Sequence, residues 1–479
     1  MVDLLLASNR GPVSYVEGDD GTLQARRGGG GLVSALSCAV ESGRPAVWVC
    51  AALTDADRRA VRAGVVDVPG VHMLDIDPVI FDRAYNRVAN SLLWFVAHLL
   101  LSTATSPTFD RGSRREWAGY LEYCTAFADA LAEQASPGAQ VVVQDYHLSL
   151  VPRMLRERRP DLRIAHFSHT PWAPPQYFRI LPDEIGRDVL TGLLGADTVG
   201  FLSPRWADAF GRCCADVLGA HWDGSVVRHD GRTTRVSVHA LGVDGDELHR
   251  RASLPDVQGR LPGVREQVGD RLLVLRIDRT ELSKNIVRGL LAYAELLRTR
   301  PQWRERVVHL AFAYPSRHDL PEYREYTAAV QRTAREVNEE FATPGWVPVL
   351  LEVRDDYPRS LAALTLADVL LVNPLRDGMN LVAKEGPVLA ADGVALVLSR
   401  EAGAADELCG DALLVNPYDV SQTAEALHAA LSMPGDERRA RSTRMAARAT
   451  ALPPAAWLAE QLDELEDCSA APLRGTGSR

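Results

Sequence analysis

Val369-Leu370-Leu371-Val372-Asn373-Pro374-Leu375-Arg376-Asp377-Gly378-Met379-Asn380-Leu381-Val382-Ala383-Lys384-Glu385 carries the most structural information in this chain. The run up to Asn373 is short and almost wholly apolar, as in a strand buried on both faces. Pro374 closes it, Asp377-Gly378 has turn chemistry, and Asn380 is expected to begin a helix. A buried strand turning into a helix is one βα unit of a parallel sheet. Free N–H groups at the start of such a helix attract phosphate. Glu385, further along the same helix, has a carboxylate able to accept paired hydrogen bonds from a ribose diol.

The same alternation recurs along the chain. Apolar runs at Leu4–Ala7, Ala46–Cys50, Val141–Gln144, Ile164–His169, Thr198–Phe201, Leu272–Ile277, Val307–Phe312 and Ala395–Leu398 read as further buried strands. Between strands, Trp117, Tyr120, Leu121, Cys124, Phe127 and Leu131 fall at helical spacing on one apolar stripe. The alternation pauses in a polar stretch between about residue 215 and Leu272. This pattern predicts an α/β chain of two doubly wound Rossmann-like domains facing across a cleft. The expected domains are 1–245 and 246–455. A helix at 456–469 is expected to pack back on the first domain, with a disordered tail at 470–479. Doubly wound sheets bind ligands beyond the carboxyl ends of their strands. The loops that follow the strands here are Ser8-Asn9-Arg10, Asp145-Tyr146-His147, His169-Thr170-Pro171, Asp278-Arg279, Tyr314 to Arg317 and Pro374 to Gly378.

Bulk properties narrow the class. A chain of 479 residues is too long for one core. Its 46% hydrophobic and 24% charged residues are the balance of a globular protein. A formal net charge of −10 argues against a nucleic-acid or anionic-membrane binder, though a locally basic site for a small anion remains compatible. The seven cysteines are scattered, with no metal spacing, as for reduced thiols, and the adjacent Cys213 and Cys214 suit packing. The chain opens directly into a strand with no basic leader. Its longest apolar stretch, Leu92 to Leu101, is too short to span a bilayer. A cytoplasmic location is expected, and self-association is left open.

Several short segments have site chemistry. Gly28-Gly29-Gly30-Gly31 opens an apolar segment and would let a phosphate approach backbone N–H groups, or would simply turn at the surface. Arg279 and Lys284, five apart after a strand, could grip a diphosphate or could be ordinary surface charges. Asp75-Ile76-Asp77-Pro78-Val79 resembles the nucleophile loop of haloacid-dehalogenase phosphatases, but their other motifs cannot be placed here.

Taken together, the segments resemble trehalose-6-phosphate synthases, retaining glycosyltransferases with two Rossmann domains (the GT-B fold). The resemblance rests on Ser8-Asn9-Arg10, Gly30-Gly31-Leu32, Tyr85 with Trp94, Asp145-Tyr146-His147-Leu148, His169-x-Pro171 and Arg279…Lys284. It continues through Pro315-Ser316-Arg317, Pro374 to Glu385, Ala402-Gly403-Ala404-Ala405 with Glu407-Leu408, and Val415-Asn416-Pro417-Tyr418. It implies transfer of glucose from a nucleotide-glucose donor to glucose 6-phosphate, without metal or other cofactor. Arg10, Tyr85, Trp94, Asp145 and Arg317 would hold the acceptor. Gly30, Gly31, His169, Arg279, Lys284, Asp377, Gly378, Met379, Asn380, Leu381 and Glu385 would hold the donor. Asp145, His169, Arg279, Lys284 and Asp377 would carry the chemistry. Departures from the family pattern include Gln144, where a His is usual, and Gly386, where a Tyr is usual. Asp355 falls where relatives contact the donor's base. One carboxylate there could accept the paired N1–H and 2-amino donors of guanine, which favours GDP-glucose over UDP-glucose. Otherwise Asp355 and Asp356 would be a solvated turn or a helix cap. Two other readings compete: a pseudoglycosyltransferase that couples cyclitols through nitrogen, and a non-catalytic glucose 6-phosphate sensor. With no phosphatase motifs placed, the phosphate is expected to stay on the product.

Overall fold

Apolar runs with no polar alternation can be satisfied only inside a sheet covered on both faces. In a computed structural model of the chain, which describes residues 1–18, 21–27, 36, 45–317 and 319–470, each of those runs forms a strand. The chain divides into two compact units. One comprises Met1–Ala240 with the segment from Pro454 onward, and the other Leu241–Pro453.

The first unit contains β1 (Val2–Ala7), β2 (Val13–Glu17), β3 (Leu23–Arg27), β4 (Ala46–Ala51), β5 (Val71–Leu74), β6 (Ala135–Gln144), β7 (Arg163–Ser168), β8 (Thr198–Phe201), β9 (His221–Trp222), β10 (Val226–His229) and β11 (Arg232–Val238). Nine of them make one sheet in the order β5-β4-β1-β6-β7-β8-β11-β10-β9, while β2 and β3 form a separate antiparallel hairpin. The sheet is parallel from β5 to β11, and antiparallel pairing adds β10 and β9 at its edge. The stripe from Trp117 to Leu131 lies on the helix Arg111–Gln134, which Asp110 and Ser113 cap reciprocally. On it Trp117, Tyr120, Cys124, Phe127 and Leu131 are buried, with Leu121 at the margin.

The second unit contains β12 (Leu272–Arg279), β13 (Val307–Tyr314), β14 (Val349–Glu352), β15 (Val369–Val372), β16 (Ala395–Ser399) and β17 (Leu413–Val415). They form a wholly parallel sheet in the order β14-β13-β12-β15-β16-β17. Strand order reverses direction at β12 and β15, the place where doubly wound sheets bind ligands.

The polar stretch before Leu272 is not a bare connection. It supplies β9 to β11, with β10 antiparallel to both neighbours, and the helices Gly245–Ala252, Pro255–Gln258 and Leu261–Val268. A helix at Pro454–Ala470 packs within the first unit. Its Trp457 is fully buried and donates from Nε1 to the His239 carbonyl at 3.1 Å. Gln140 Nε2 donates to the Leu462 carbonyl, also at 3.1 Å. Cys50, Cys124, Cys213 and Cys214 are buried free thiols and Cys409 is exposed, while Cys38, the Cys468 side chain and the segment after residue 470 lie outside what is described. No helix among the described residues is long and apolar enough to cross a membrane.

Candidate active site

In the second unit, the candidate residues gather where β12 and β15 end. Arg276 interrupts the apolar run of β12 and is fully buried. Its guanidinium pairs with Asp278 at 2.9 Å and donates to Asn373 Oδ1 and to the Lys284 carbonyl. Asn285, with φ of 61°, donates from Nδ2 to the carbonyls of Asn373 at 3.0 Å and Pro417 at 2.7 Å. These bonds join the ends of both strands, the Lys284 turn and the loop after β17 into one frame. Lys284 Nζ, held by that frame, lies 2.6 Å from Asp377 Oδ2, which also accepts from Asn380 Nδ2 at 3.1 Å. Burial opposes the ammonium charge, but Asp377, Asp278 and Glu281 outweigh it and raise the Lys284 pKa. Burial pushes the Asp278 carboxyl up to about 6, with Arg276 and Lys284 opposing the rise.

The loop from Asp377 to Asn380 is held by its own neighbours. Asp377 N–H donates to the Glu401 carbonyl, Gly403 N–H to the Asp377 carbonyl and Ala404 N–H to the Met379 carbonyl. A side chain at Gly403 would put its Cβ 1.9 Å from the Gly378 carbonyl oxygen, so the close approach requires glycine. The helix expected from Asn380 runs instead from Val382 to Leu389. Asn380 sits at φ 80°, outside the helical region, and its Oδ1 accepts from Ala383 N–H at 3.1 Å. It therefore stands in the turn before the helix, whose first flanking residue is Leu381, and ties that turn to an N–H in the helix's first turn. Glu385 lies on that helix, and burial raises its carboxyl to about 7. Gly386 allows the helix to lie against β15, since a Cβ there would fall 2.4 Å from Leu370 Cδ2.

Arg279 is exposed and pairs with the buried Glu281 at 3.0 Å. Glu281 also accepts from Ser316 Oγ at 3.1 Å, which seats the loop carrying Arg317. Arg317 takes φ of 45° and donates to the Tyr323 hydroxyl. Asp356 is a helix cap, accepting from Arg359 N–H at 3.1 Å and pairing with Arg260. Asp355, beside it, is exposed and does not cap.

In the first unit the candidates lie after β1, β6 and β7. Ser8 Oγ donates to the Arg10 carbonyl and accepts from Trp48 Nε1, while Asn9 Oδ1 accepts from the Tyr123 hydroxyl at 2.6 Å. Arg10 is left exposed on this braced loop. Asp145 takes φ of 69° directly after β6. Its Oδ1 accepts from the His169 backbone N–H at 3.2 Å. His169 Nε2 faces Gln144 Oε1 at 2.7 Å. Burial, with His166 adding, lowers the His169 pKa to about 3, so the ring is neutral. Tyr85 stacks between Phe81, at 5.1 Å, and His147, at 5.5 Å. It sits on a π-helix, Asp82–Leu93, a rare winding often found at functional sites. Trp94 is 3% exposed and packs on His98. Gly30 and Gly31 lie outside the described residues.

The structure thus brings Lys284, Asp377 and Asn380 together in one unit, and Gln144, Asp145 and His169 in the other. Arg317 belongs to the second unit, apart in sequence from the other acceptor candidates. Sequence reading gave no site role to Gln144, Arg276, Asp278 or Glu281, although it named Gln144 as a departure and Asp278 in a strand-end loop. A charged residue inside an apolar strand, as at Arg276, was the available signal. The Asp75–Asp77 loop has structural duties: Asp75 pairs with Arg62 at 2.6 Å, and Asp77 caps the helix Pro78–Phe81.

Residues 3–467 match a family described as Glycosyltransferase family 20. A bifunctional trehalose-6-phosphate synthase/phosphatase of Thermoproteus tenax is 34% identical over 448 residues, covering 91% of this chain and 59% of the relative. This chain therefore spans less than two thirds of that protein's length. A trehalose-6-phosphate synthase of Mycolicibacterium gilvum is 35% identical over 480 residues, 97% of this chain and 93% of the relative. Among solved structures, an alpha,alpha-trehalose-phosphate synthase (UDP-forming) from Burkholderia xenovorans in complex with glucose-6-phosphate matches with a TM-score of 0.83. Its identity is 27%, over 97% of this chain and 99% of that one.

Proposed function

The chain belongs to glycosyltransferase family 20, and on that footing we propose that it transfers glucose from a nucleoside-diphosphate glucose to glucose 6-phosphate. The donor's α configuration is retained and α,α-trehalose 6-phosphate is formed. The observation that carries this reading is the Lys284–Asp377 pair at 2.6 Å, with Asn380 on the same carboxylate oxygen. It supplies a fixed cation for a diphosphate beside polar groups for a sugar, at the ends of the two central strands.

As the bond from the anomeric carbon to the diphosphate breaks, charge builds on the departing oxygen. Arg279 and Lys284 stabilise that charge, and the fixed frame around Lys284 keeps reorganisation small. The acceptor hydroxyl attacks from the face the diphosphate leaves and passes its proton to the departing phosphate oxygen. No side chain need act as nucleophile. His169, with Asp377 to Leu381, holds the transferred glucose, and Glu385 holds the ribose. Arg10, Tyr85, Trp94, Asp145 and Arg317 hold glucose 6-phosphate, the arginines through planar paired donors to phosphate.

Asp355 supports a finer reading. Its neighbour Asp356 takes the capping duty, so Asp355 offers an exposed carboxylate for the two adjacent donors of guanine. GDP-glucose is then preferred over UDP-glucose, and Asp355→Ala narrows that preference. Free thiols among the described residues support a reducing compartment, in keeping with a cytoplasmic enzyme.

The test is incubation with glucose 6-phosphate and UDP-, GDP- or ADP-glucose, with products identified by mass and anomeric NMR. Trehalose 6-phosphate and free nucleoside diphosphate are expected. A nitrogen-linked product, or no turnover with any donor, would refute the reading.

A further inference from the structure

Gln144 is the last residue of β6, is fully buried, and stands in register with Phe167 of β7. His169 follows directly after β7. The Gln144 side chain crosses between the two strand ends and sets its Oε1 2.7 Å from His169 Nε2. The amide is turned with its oxygen toward the ring and its nitrogen buried without a partner; in that orientation the oxygen accepts and Nε2 carries the hydrogen. At the other end of the residue, the His169 backbone N–H is held by Asp145. Two aromatic rings fix the imidazole laterally: Phe167 at 5.0 Å and Trp457 at 5.7 Å between centroids. Trp457 comes from the helix Pro454–Ala470 and is itself anchored on the His239 carbonyl. The ring is therefore confined in position, and the orientation of the Gln144 amide selects its tautomer. Nδ1 keeps its lone pair, and among the described residues no hydrogen bond is made to it.

Building on the transferase function proposed above, we infer that Gln144 is a positioning residue that holds His169 in the Nε2–H form. Nδ1 then accepts a hydrogen bond from a hydroxyl of the transferred sugar. The opposite tautomer, or a protonated ring, would present a donor there and turn the hydroxyl away. An amide is a good neighbour for this purpose, because it accepts without adding a charge that would draw a second proton onto the ring.

Two measurements test this. In the full-length protein labelled with ¹⁵N-histidine, with the His169 signal assigned by its loss in His169→Asn, NMR should show protonated Nε2 and unprotonated Nδ1. An Nδ1–H or doubly protonated ring would overturn the proposal. In kinetics, Gln144→Leu should lower kcat about five- to tenfold, the worth of one oriented hydrogen bond, while the KM for glucose 6-phosphate stays nearly constant. Gln144→His, which still offers a ring nitrogen as acceptor, should restore most of that loss. A folded Gln144→Leu protein with unchanged kcat, or equal loss in Gln144→His, would also overturn it. The tautomer is read without turnover, so failure of the transferase function and failure of this inference appear in different measurements.

Discussion

Lys284 faces a choice of partners. In this structure its ammonium is matched by Asp377, and an incoming diphosphate must compete for it. Because the charge counts most as the diphosphate departs, Lys284→Ala should lower kcat by about a hundredfold or more, the scale seen on losing one oriented oxyanion donor. A change confined to the donor KM would limit Lys284 to ground-state binding. Glu385 carries a built-in pH dependence. Burial keeps its carboxyl protonated up to about 7, and only the ionised form accepts both hydroxyls of a ribose. Donor KM should therefore fall as pH rises through about 7, and Glu385→Gln should flatten that profile. An identical profile in the variant would remove Glu385 from the ribose site. Arg317→Ala should weaken glucose 6-phosphate by about ten- to a hundredfold, as for a lost charge-assisted bond, with the donor little changed. Equal damage to both substrates would place Arg317 elsewhere.

The elements themselves divide into those a sequence announces and those it conceals. Runs such as Leu272–Ile277 and Val369–Val372 are buried on both faces, so nothing polar breaks their pattern and each was legible. The strands at and near the edges were not. β5 reads Val-His-Met-Leu, β14 is only Val349–Glu352, and β9 to β11 keep one polar side, so their signal sinks into that of loops. Site legibility followed the same physics. Strand-end loops announced Arg10, Asp145, Lys284 and Asp377 by residue type. Arg276 showed only as a charge inside an apolar run, and a contact made only in three dimensions, such as Gln144 with His169, left no local trace. Neither did the left-handed backbone of Asn380, which moved the helix start to Val382. The turn that holds Asp377 depends on a backbone crossing at Gly403 as close as any among the described glycines. Gly403→Ala should cost about 1–3 kcal/mol, as overpacking does, and should impair donor binding as the loop shifts. Unchanged denaturant midpoint and donor KM would show that the crossing relaxes freely.

Across the molecule, the helix Pro454–Ala470 is fastened to the first unit by an ionisable clasp. His239 reaches Glu460 at 3.1 Å and Glu464 at 3.2 Å. Burial disfavours the His239 charge, but bonds to Glu464 and Glu460 prevail and raise its pKa above the ordinary 6.5. For Glu464 burial acts upward, and the bond to His239 prevails downward, below the ordinary 4.5. A raised histidine stabilises fully below 6.5 and stops doing so as pH rises through its folded value. A lowered carboxylate stabilises above 4.5 and stops as pH falls through its own. The clasp is thus strongest between about 4.5 and 6.5 and loosens toward alkaline pH. Thermal melts of wild type and His239→Gln should converge as pH rises. A gap that stays constant from pH 6 to pH 9 would show that the clasp contributes no charge.

That helix also fixes an order of events during synthesis. The chain leaves the first unit at Ala240 and re-enters it only at Pro454. Phe167 and His239 therefore wait for Trp457 until the whole intervening unit has left the ribosome. The second unit, contiguous in sequence, has all its strands available earlier. Its two ends are stitched side by side, with Gly242 N–H bonded to the Leu452 carbonyl and Val243 N–H to the Ala449 carbonyl. The unit whose residues begin first is consequently completed last. For as long as translation lasts, the nascent first unit carries an uncovered apolar face in the place the last helix will fill, and it is at this stage that a chaperone would find the most to hold.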